Sequence, residues 1–228
     1  MNTVDAAPSL ALPWIETLAS RFRIILASGS PRRKELLDRL NIKYDVILSG
    51  FAEDLDKSQF PSVKEYVLET ASRKAEEVYR RIKREQPLTP LIVIGADTIV
   101  VSSDGVIFEK PASAQDAATV LKEKLSGKTN TVNTGICLYI DSADENADQP
   151  LVEKTVESTQ VTFNELDDAL ISAYVSTGEP MDKAGSYAYQ SLACFFVKEI
   201  QGDYYNVVGF PCARFYQMLL ELHRKSII

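Results

Sequence analysis

The sequence predicts an α/β domain, and three observations carry that prediction. Residues 23–28, RIILAS, form an apolar run that breaks at Gly29 and passes into the amphipathic PRRKELLDRL. A long helical pattern from Val63 to about Glu85 precedes LIVIGADTIVV (residues 91–101), which is apolar and β-branched enough for a buried strand. Strand-like and helix-like segments then alternate to the C-terminus with no internal repeat and no Pro/Gly/Ser-rich linker, as in a domain that layers helices on one sheet.

The elements follow in order. Residues 1–22 carry Asp5 where a signal peptide would carry basic residues, so they read as an extension, a strap or helix laid on a domain of residues 23–228. RIILAS is a strand, Gly29 a turn, Ser30 a helix cap and Pro31 the first helical residue. YDVILS is a second strand, followed by the polar and acidic GFAEDLDKSQFPS. The long helix places Val63, Tyr66, Val67, Thr70, Ala71, Lys74, Ala75 and Val78 near one face, and Pro87 and Pro90 end it.

After the LIVIGADTIVV strand, Asp104-Gly105 predicts a hairpin into VIFE. Ser113 caps the helix AQDAATVLKEKL, which Gly127 stops. TNTVNTGICLYI and LVEKTVESTQVTF are strands on either side of DSADENADQ, an expected exposed tip. ELDDALISAYVSTG is a helix with Asn164 as its expected cap, and MDKAGSYAYQ has the composition of a hairpin. ACFFVKEI is a strand, DYYNVVGF an irregular or extended piece, and PCARFYQMLLELHRK a closing helix from Pro211. Strand order is not fixed by the sequence.

Composition narrows the function. The 25 basic and 32 acidic residues leave a net charge of −7, which argues against a nucleic-acid binder. An anionic small molecule remains open, provided its site gathers cations locally. No apolar run approaches the roughly 18 residues that would suggest a membrane span. Cys137, Cys194 and Cys212 are odd in number without CxxC spacing, so they are expected as small buried hydrophobes in a reducing, cytoplasmic compartment. The only histidine, His223, lies in a helical segment near the C-terminus and is expected at the surface or as a cap. Ser-His-Asp, Cys-His and histidine-rich metal chemistry therefore drop out.

The segment SGSPRR (residues 28–33) is the first candidate for chemistry. A helix N-terminus carries partial positive charge and attracts anions. Two arginines in that first turn cost roughly a few tenths of a kcal/mol each unless an anion meets them. Ser28 and Ser30 add hydroxyls, and Arg32 and Arg33 add guanidinium forks suited to phosphate oxygens. There is no GxxxxGK[ST] and no GxGxxG, so neither a P-loop nor a dinucleotide fold is indicated. Asp97 interrupts an apolar strand beside Thr98, which is costly unless the carboxylate is paired, hydrogen-bonded or ligating a metal. Glu109 and Lys110 precede Pro111 as a solvated charge pair or a site. Asp182, Lys183, the tyrosines and Gln190 in MDKAGSYAYQ fit a turn or the lining of a base pocket.

Taken together, LASGSPRRKELL, GADTIVV, EKP, GEPMDKAGSY and GDYYNVVGFP resemble, in order and context, the Maf family of nucleotide pyrophosphatases, over residues 23–220. The resemblance is nearest to the branch acting on dTTP and UTP. It implies a mixed twisted sheet with flanking helices and two lobes around a cleft, as in the related inosine triphosphate pyrophosphatases, and a homodimer. It implies hydrolysis of a nucleoside triphosphate between the α and β phosphates. By position it makes Ser28, Arg32 and Arg33 a triphosphate cradle, and Lys74 and Lys110 further cationic contacts. Glu53 becomes a metal-associated acid, Asp97 the proton acceptor or metal ligand, and Arg32, Thr98 and Gln190 residues of substrate choice. Oxygen ligands without usable histidine favour Mg²⁺, with Mn²⁺ as a substitute. Two segments depart from the family pattern: Asn130 stands where histidine is common, and GSYAYQS (residues 185–191) replaces two glycines and adds a tyrosine. The rival reading is a non-catalytic nucleotide-binding regulator linked to cell-division control.

Overall fold

A computed structural model describes residues 12–141 and 149–228. Residues 1–11 of the extension and 142–148 of the expected tip lie outside the described residues. In chain order the elements are α1 (Pro13–Arg21), β1 (Arg23–Leu26), α2 (Pro31–Asp38), β2 (Asp45–Val46), α3 (Val63–Glu85), β3 (Leu91–Ser102) and β4 (Ile107–Phe108). They continue as α4 (Ala114–Thr119), β5 (Thr129–Ile140), β6 (Leu151–Phe163), α5 (Asp168–Ser176), β7 (Val197–Gln201), α6 (Tyr204–Val208) and α7 (Cys212–Arg224).

The seven strands form one sheet in the order β2-β1-β3-β5-β6-β7, with β4 against the far end of β3. β1 runs parallel to β2 and to β3, while β3–β5, β5–β6, β6–β7 and β3–β4 are antiparallel. The sheet is therefore mixed and flanked by helices, as the family resemblance implies. One detail of register builds the cleft. β1 ends opposite Ile94 and β4 ends opposite Val100, so residues 95–99 of β3 have no strand on that side among the described residues.

Alternation along β3 divides the core. On one face Ile92, Ile94 and Ala96 pack with Ile15 and Leu18 of α1, Leu37 of α2 and Phe215 of α7. Farther along the same face Val100 joins a second core with Phe108, Leu125, Phe163 and Tyr174. Thr98 lies between these two cores, at the boundary of the lobes. The other face is covered along its length by α3, with Val93 against Ala71 and Ala75, and Ile99 against Tyr66 and Val67.

Two glycines set how close α3 lies. A Cβ on Gly95 would stand 2.2 Å from the Ala71 carbonyl oxygen, and one on Gly135 2.8 Å from that of Val67. Only glycine permits that approach. The C-terminal end of α3 is clamped by Asp141, which accepts from the Leu91 amide (2.9 Å), Lys83 Nζ (2.9 Å) and the Tyr79 hydroxyl. Burial and the Asp141 carboxylate both push the Tyr79 phenol up from its ordinary value.

Several local expectations are corrected. β2 is only two residues long because the parallel register offers it Ile25 and Leu26 alone. α4 passes into a π-helical stretch, Val120–Leu125, closed by the Ser126 amide on the Leu121 carbonyl at 2.9 Å. The cap of α5 is Asp167, which accepts from the Leu170 amide at 2.7 Å, and not Asn164, whose backbone is engaged by Gly127 and Phe196. MDKAGSYAYQ forms two 3-10 turns, Glu179–Asp182 and Ala184–Ser186, rather than a hairpin. Leu192–Phe195 is another 3-10 turn, so that strand begins only at Val197. DYYNVVGF contains the helix α6, capped by Asp203 on the Tyr205 amide at 2.7 Å.

Of the cysteines, Cys137 is buried, Cys212 half-buried and Cys194 exposed, which departs from the expectation for Cys194. Burial pushes the Cys137 and Cys212 thiols up to about 11. His223 sits in the last turn of α7 and stacks on Trp14 of α1 at 4.8 Å. Among the described residues no helix is long and apolar enough to cross a membrane.

Candidate active site

A cavity of about 1010 Å³ opens at the unpaired stretch of β3, between the two cores. Ser28, Arg32, Arg33, Glu53, Lys74, Asp97, Thr98, Lys110 and Gln190 all line it. They arrive from both lobes: the start of α2, the loop after β2, the middle of α3, the gap in β3, the segment after β4 and the 3-10 turns. Six lysines and arginines face five acidic residues in the lining. In a chain of net charge −7 that is a local concentration of cations.

The two adjacent arginines do different things. Arg33 is buried, and its Nε donates to the Gly209 carbonyl at 3.0 Å. Its Nη1 donates to Ser28 Oγ (2.8 Å) and the Ala96 carbonyl (2.9 Å), and its Nη2 to Thr98 Oγ1 (3.0 Å). The Ala96 carbonyl lies in the gap between β1 and β4, so Arg33 supplies a donor where the sheet does not. Four contacts leave Arg33 one N–H of its five. Burial pushes the Arg33 guanidinium below its ordinary value and the nearby Asp97 carboxylate pulls it back up. Arg32 is half-buried and makes no ion pair among the described residues. The expected pair of phosphate grips thus becomes one available guanidinium and one structural tie.

Ser30 occupies the N-cap position of α2, but its side chain makes no capping bond, correcting that expectation. The helix begins with Pro31, and its uncapped end faces the cavity, where partial positive charge favours an anion.

Lys74 forms the other centre. Its side chain is only 10% exposed, and Nζ donates to Asp97 Oδ1 at 2.8 Å and contacts Glu53 Oε2 at 2.6 Å. The β3 alternation turns Asp97 toward α3, and the Gly95 and Gly135 contacts bring Lys74 down to meet it. Glu53 reaches the same ammonium from a backbone with φ of 55°, the left-handed region that non-glycine residues seldom occupy. Among the described residues no group of three or more His, Cys, Asp or Glu side chains gathers as a cage for a metal. Glu53 and Asp97 converge on the Lys74 ammonium, and they are the two carboxylates here that could also serve Mg²⁺, a cation that takes one or two carboxylates and fills its other positions with water and phosphate oxygens.

Other cavity residues escaped the sequence reading. Lys57 pairs with Glu109, whose hydrogen bond raises the Lys57 ammonium, so Glu109 reaches across to Lys57 rather than pairing with Lys110. Lys110 makes no ion pair among the described residues. Lys183 pairs with Asp182, and this hydrogen bond, aided by the charge of Arg32, holds the Asp182 carboxyl below the usual range. Lys57 stands alone in a polar loop, with no spacing to mark it. In the second lobe, buried Tyr187 donates to Asn130 Oδ1 at 3.0 Å and packs edge-on against Phe163. Asn130, at a position where the resemblance leads one to expect histidine, therefore fixes a cavity tyrosine.

Fold and site define a two-lobed α/β protein whose cleft gathers cations around a carboxylate–lysine–carboxylate centre. The chain belongs to the Maf-like protein family, which it matches over residues 23–222. It is 44% identical to a dTTP/UTP pyrophosphatase of Thermococcus kodakarensis over 82% of this chain and 90% of that protein. It is 46% identical to a nucleoside triphosphate pyrophosphatase of Dictyostelium discoideum over 81% of this chain and 84% of that one. A human protein named as a probable bifunctional dTTP/UTP pyrophosphatase/methyltransferase is 42% identical over 88% of this chain. The match spans only 32% of the human protein's length.

Proposed function

We infer that this protein hydrolyses nucleoside triphosphates, with dTTP and UTP as preferred substrates, to the monophosphate and pyrophosphate. The observation that carries the reading is Lys74 held between Glu53 and Asp97, in a cleft that also presents the uncapped start of α2 and Arg32. The names of the related pyrophosphatases support the substrate class.

A triphosphate carries about four negative charges, and Arg32, Lys110, Lys74 and the α2 N-terminus form its cradle. Ser28 and Arg33 hold that cradle in shape. Asp97 is the proton acceptor: it orients a water toward the α-phosphorus and takes its proton as the new P–O bond forms. The bond from the α-phosphorus to the α–β bridging oxygen breaks, and pyrophosphate leaves with the bridging oxygen and its electrons. Lys74 fixes the rotamer of Asp97 and offsets its charge beside a polyanion. Glu53 and Asp97 are the residues that would hold Mg²⁺, or Mn²⁺ in its place, and such a cation supplies charge neutralisation for the phosphates. Thr98, tied to Arg33 and 3.0 Å from Thr134 Oγ1, and Gln190 belong to substrate choice.

The test is a panel of canonical and modified nucleoside triphosphates with Mg²⁺, read for pyrophosphate against orthophosphate. Pyrophosphate from dTTP and UTP is the expected result. Orthophosphate alone means that a different bond is cut, and binding without any release returns the nucleotide-binding regulator. The resemblance also carries a homodimer into this proposal, and the cysteine pattern a cytoplasmic location, which light scattering and cell fractionation measure.

A further inference from the structure

The loop that carries Gln190 is held at two points by one carboxylate. Glu179 Oε1 accepts from the Tyr174 hydroxyl at 3.0 Å, and Glu179 Oε2 accepts from Ser191 Oγ at 2.6 Å. The same Tyr174 oxygen accepts from the Ala188 amide at 3.3 Å. The chain is therefore gripped two residues before Gln190, through its backbone, and one residue after it, through a side chain. Tyr174 is buried and packs edge-on against Phe196 at 4.8 Å, so the grip is anchored in the core of the second lobe. Burial first, and Glu179 second, push the Tyr174 phenol up, which keeps it the donor in this bond. Glu179, Ala188, Gln190 and Ser191 all line the cavity.

We propose that Glu179, with Tyr174 and Ser191, is a positioning clamp that presents Gln190 to the nucleobase and sets the preference for uracil-type bases over purines. The proposal deepens the pyrophosphatase reading and rests on it. An amide side chain discriminates bases only if its carbonyl and amino groups are held in register with the base edge, because a freely moving one satisfies several partners. The Ser191 hydroxyl is the part of the clamp that a small substitution removes, since an alanine or glycine there would leave Glu179 Oε2 without that partner. The clamp shares no hydrogen bond or ion pair with Asp97 or Lys74, so it acts on recognition of the base and not on the chemical step.

The experiment measures affinity by calorimetry for α,β-methylene UTP and α,β-methylene GTP with Mg²⁺, which requires no turnover. Wild type is compared with Ser191→Ala, Ser191→Thr, Glu179→Gln and Glu179→Ala, and hydrogen exchange follows the 184–191 segment. Ser191→Ala is expected to lower the UTP-over-GTP affinity ratio roughly 3- to 10-fold, the size of one partly exposed hydrogen bond to a charged group. Ser191→Thr keeps the hydroxyl and restores the ratio, while both Glu179 variants lose at least as much as Ser191→Ala. Amide exchange at Ala188 accelerates in the Glu179 variants. A UTP preference that survives in every variant overturns the clamp, as does a wild type that binds both analogues equally. Wild-type protein that binds neither analogue instead sinks the nucleotide reading itself.

Discussion

On the side of the cleft proposed to hold the phosphates, Arg33, Lys74 and Asp97 stand on α2, α3 and β3, in regular elements whose backbone bonds are made by the fold itself. On the side proposed to hold the base, Glu179, Tyr187, Gln190 and Ser191 stand in or beside short 3-10 turns between α5 and β7, where side-chain bonds supplement the local turn bonds. The difference matches what the proposed function asks of each side. Attack on a phosphorus needs a base and a cradle fixed to fractions of an ångström, which packed helices and strands provide. Selection among bases needs a surface that can differ between relatives without moving the chemistry, and loops on a rigid scaffold provide that.

The largest effect is expected where the phosphate side touches the reaction. Asp97→Asn removes the proposed proton acceptor and keeps the shape, so kcat should fall by about 10²- to 10⁴-fold with the circular dichroism spectrum unchanged. A wild-type kcat in that variant would remove Asp97 from the chemistry and with it the contrast between the two sides.

The neighbouring arginines offer the next test. Arg33→Met strips donors from Ser28, Ala96, Thr98 and Gly209, each buried acceptor costing about 1–3 kcal/mol when orphaned. Because those costs do not add fully, we expect Tm to drop by roughly 10 °C, with activity falling alongside. Arg32→Ala should leave Tm near wild type and lower kcat/KM roughly 10- to 100-fold, as loss of a charge-assisted phosphate contact would. Equal melting temperatures in the two variants would show that Arg33 is not the tie its contacts make it.

Much of the phosphate side was legible because its physics is local. Periodicity alone placed Lys74 on the buried face of a helix that runs from Val63 to Glu85. A carboxylate in the apolar LIVIGADTIVV marked Asp97 as unusual before any partner was known. The division of labour between Arg32 and Arg33 was not legible, because it depends on a gap in the sheet left by β1 ending at Leu26. The base side hid more. Segment 178–195 has neither a period of 2 nor of 3.6, and the bonds that tie its turns to one another, Glu179 to Ser191 and Tyr187 to Asn130, run through side chains that composition cannot pair. α6 escaped because Tyr and Val are indifferent helix formers, although Asp203 before it and Gly209 after it are start and stop signals.

A smaller effect probes how α3 meets the sheet. Gly95→Ala places a Cβ 2.2 Å from the Ala71 carbonyl oxygen, one helical turn from Lys74, so α3 must lift. Overpacking of this kind costs about 1–3 kcal/mol, which lowers Tm by roughly 5 °C. Because the lift also moves Lys74 from Asp97, kcat should fall while base preference stays the same. A variant with lower Tm but wild-type kcat would mean that Lys74 keeps its place without the close approach.

The smallest expected change lies on the base side and runs in the opposite direction. Ser186 is fully buried with φ of 61°, follows Gly185 at φ of 72°, and its hydroxyl has no hydrogen-bond partner among the described residues. A left-handed backbone costs a serine about 1 kcal/mol that glycine does not pay, and an unpaired buried hydroxyl adds to the strain. Ser186→Gly should therefore stabilise the protein, raising Tm by roughly 2–4 °C, in contrast to every substitution on the phosphate side. Its kinetics separate two uses of that strain. If the left-handed pair only turns the chain, kcat/KM for UTP stays at the wild-type value. If the strain instead helps press Tyr187 toward Asn130, the relaxed variant gains stability and loses discrimination between UTP and GTP. A drop in Tm would show that Ser186 is held by something worth more than its strain.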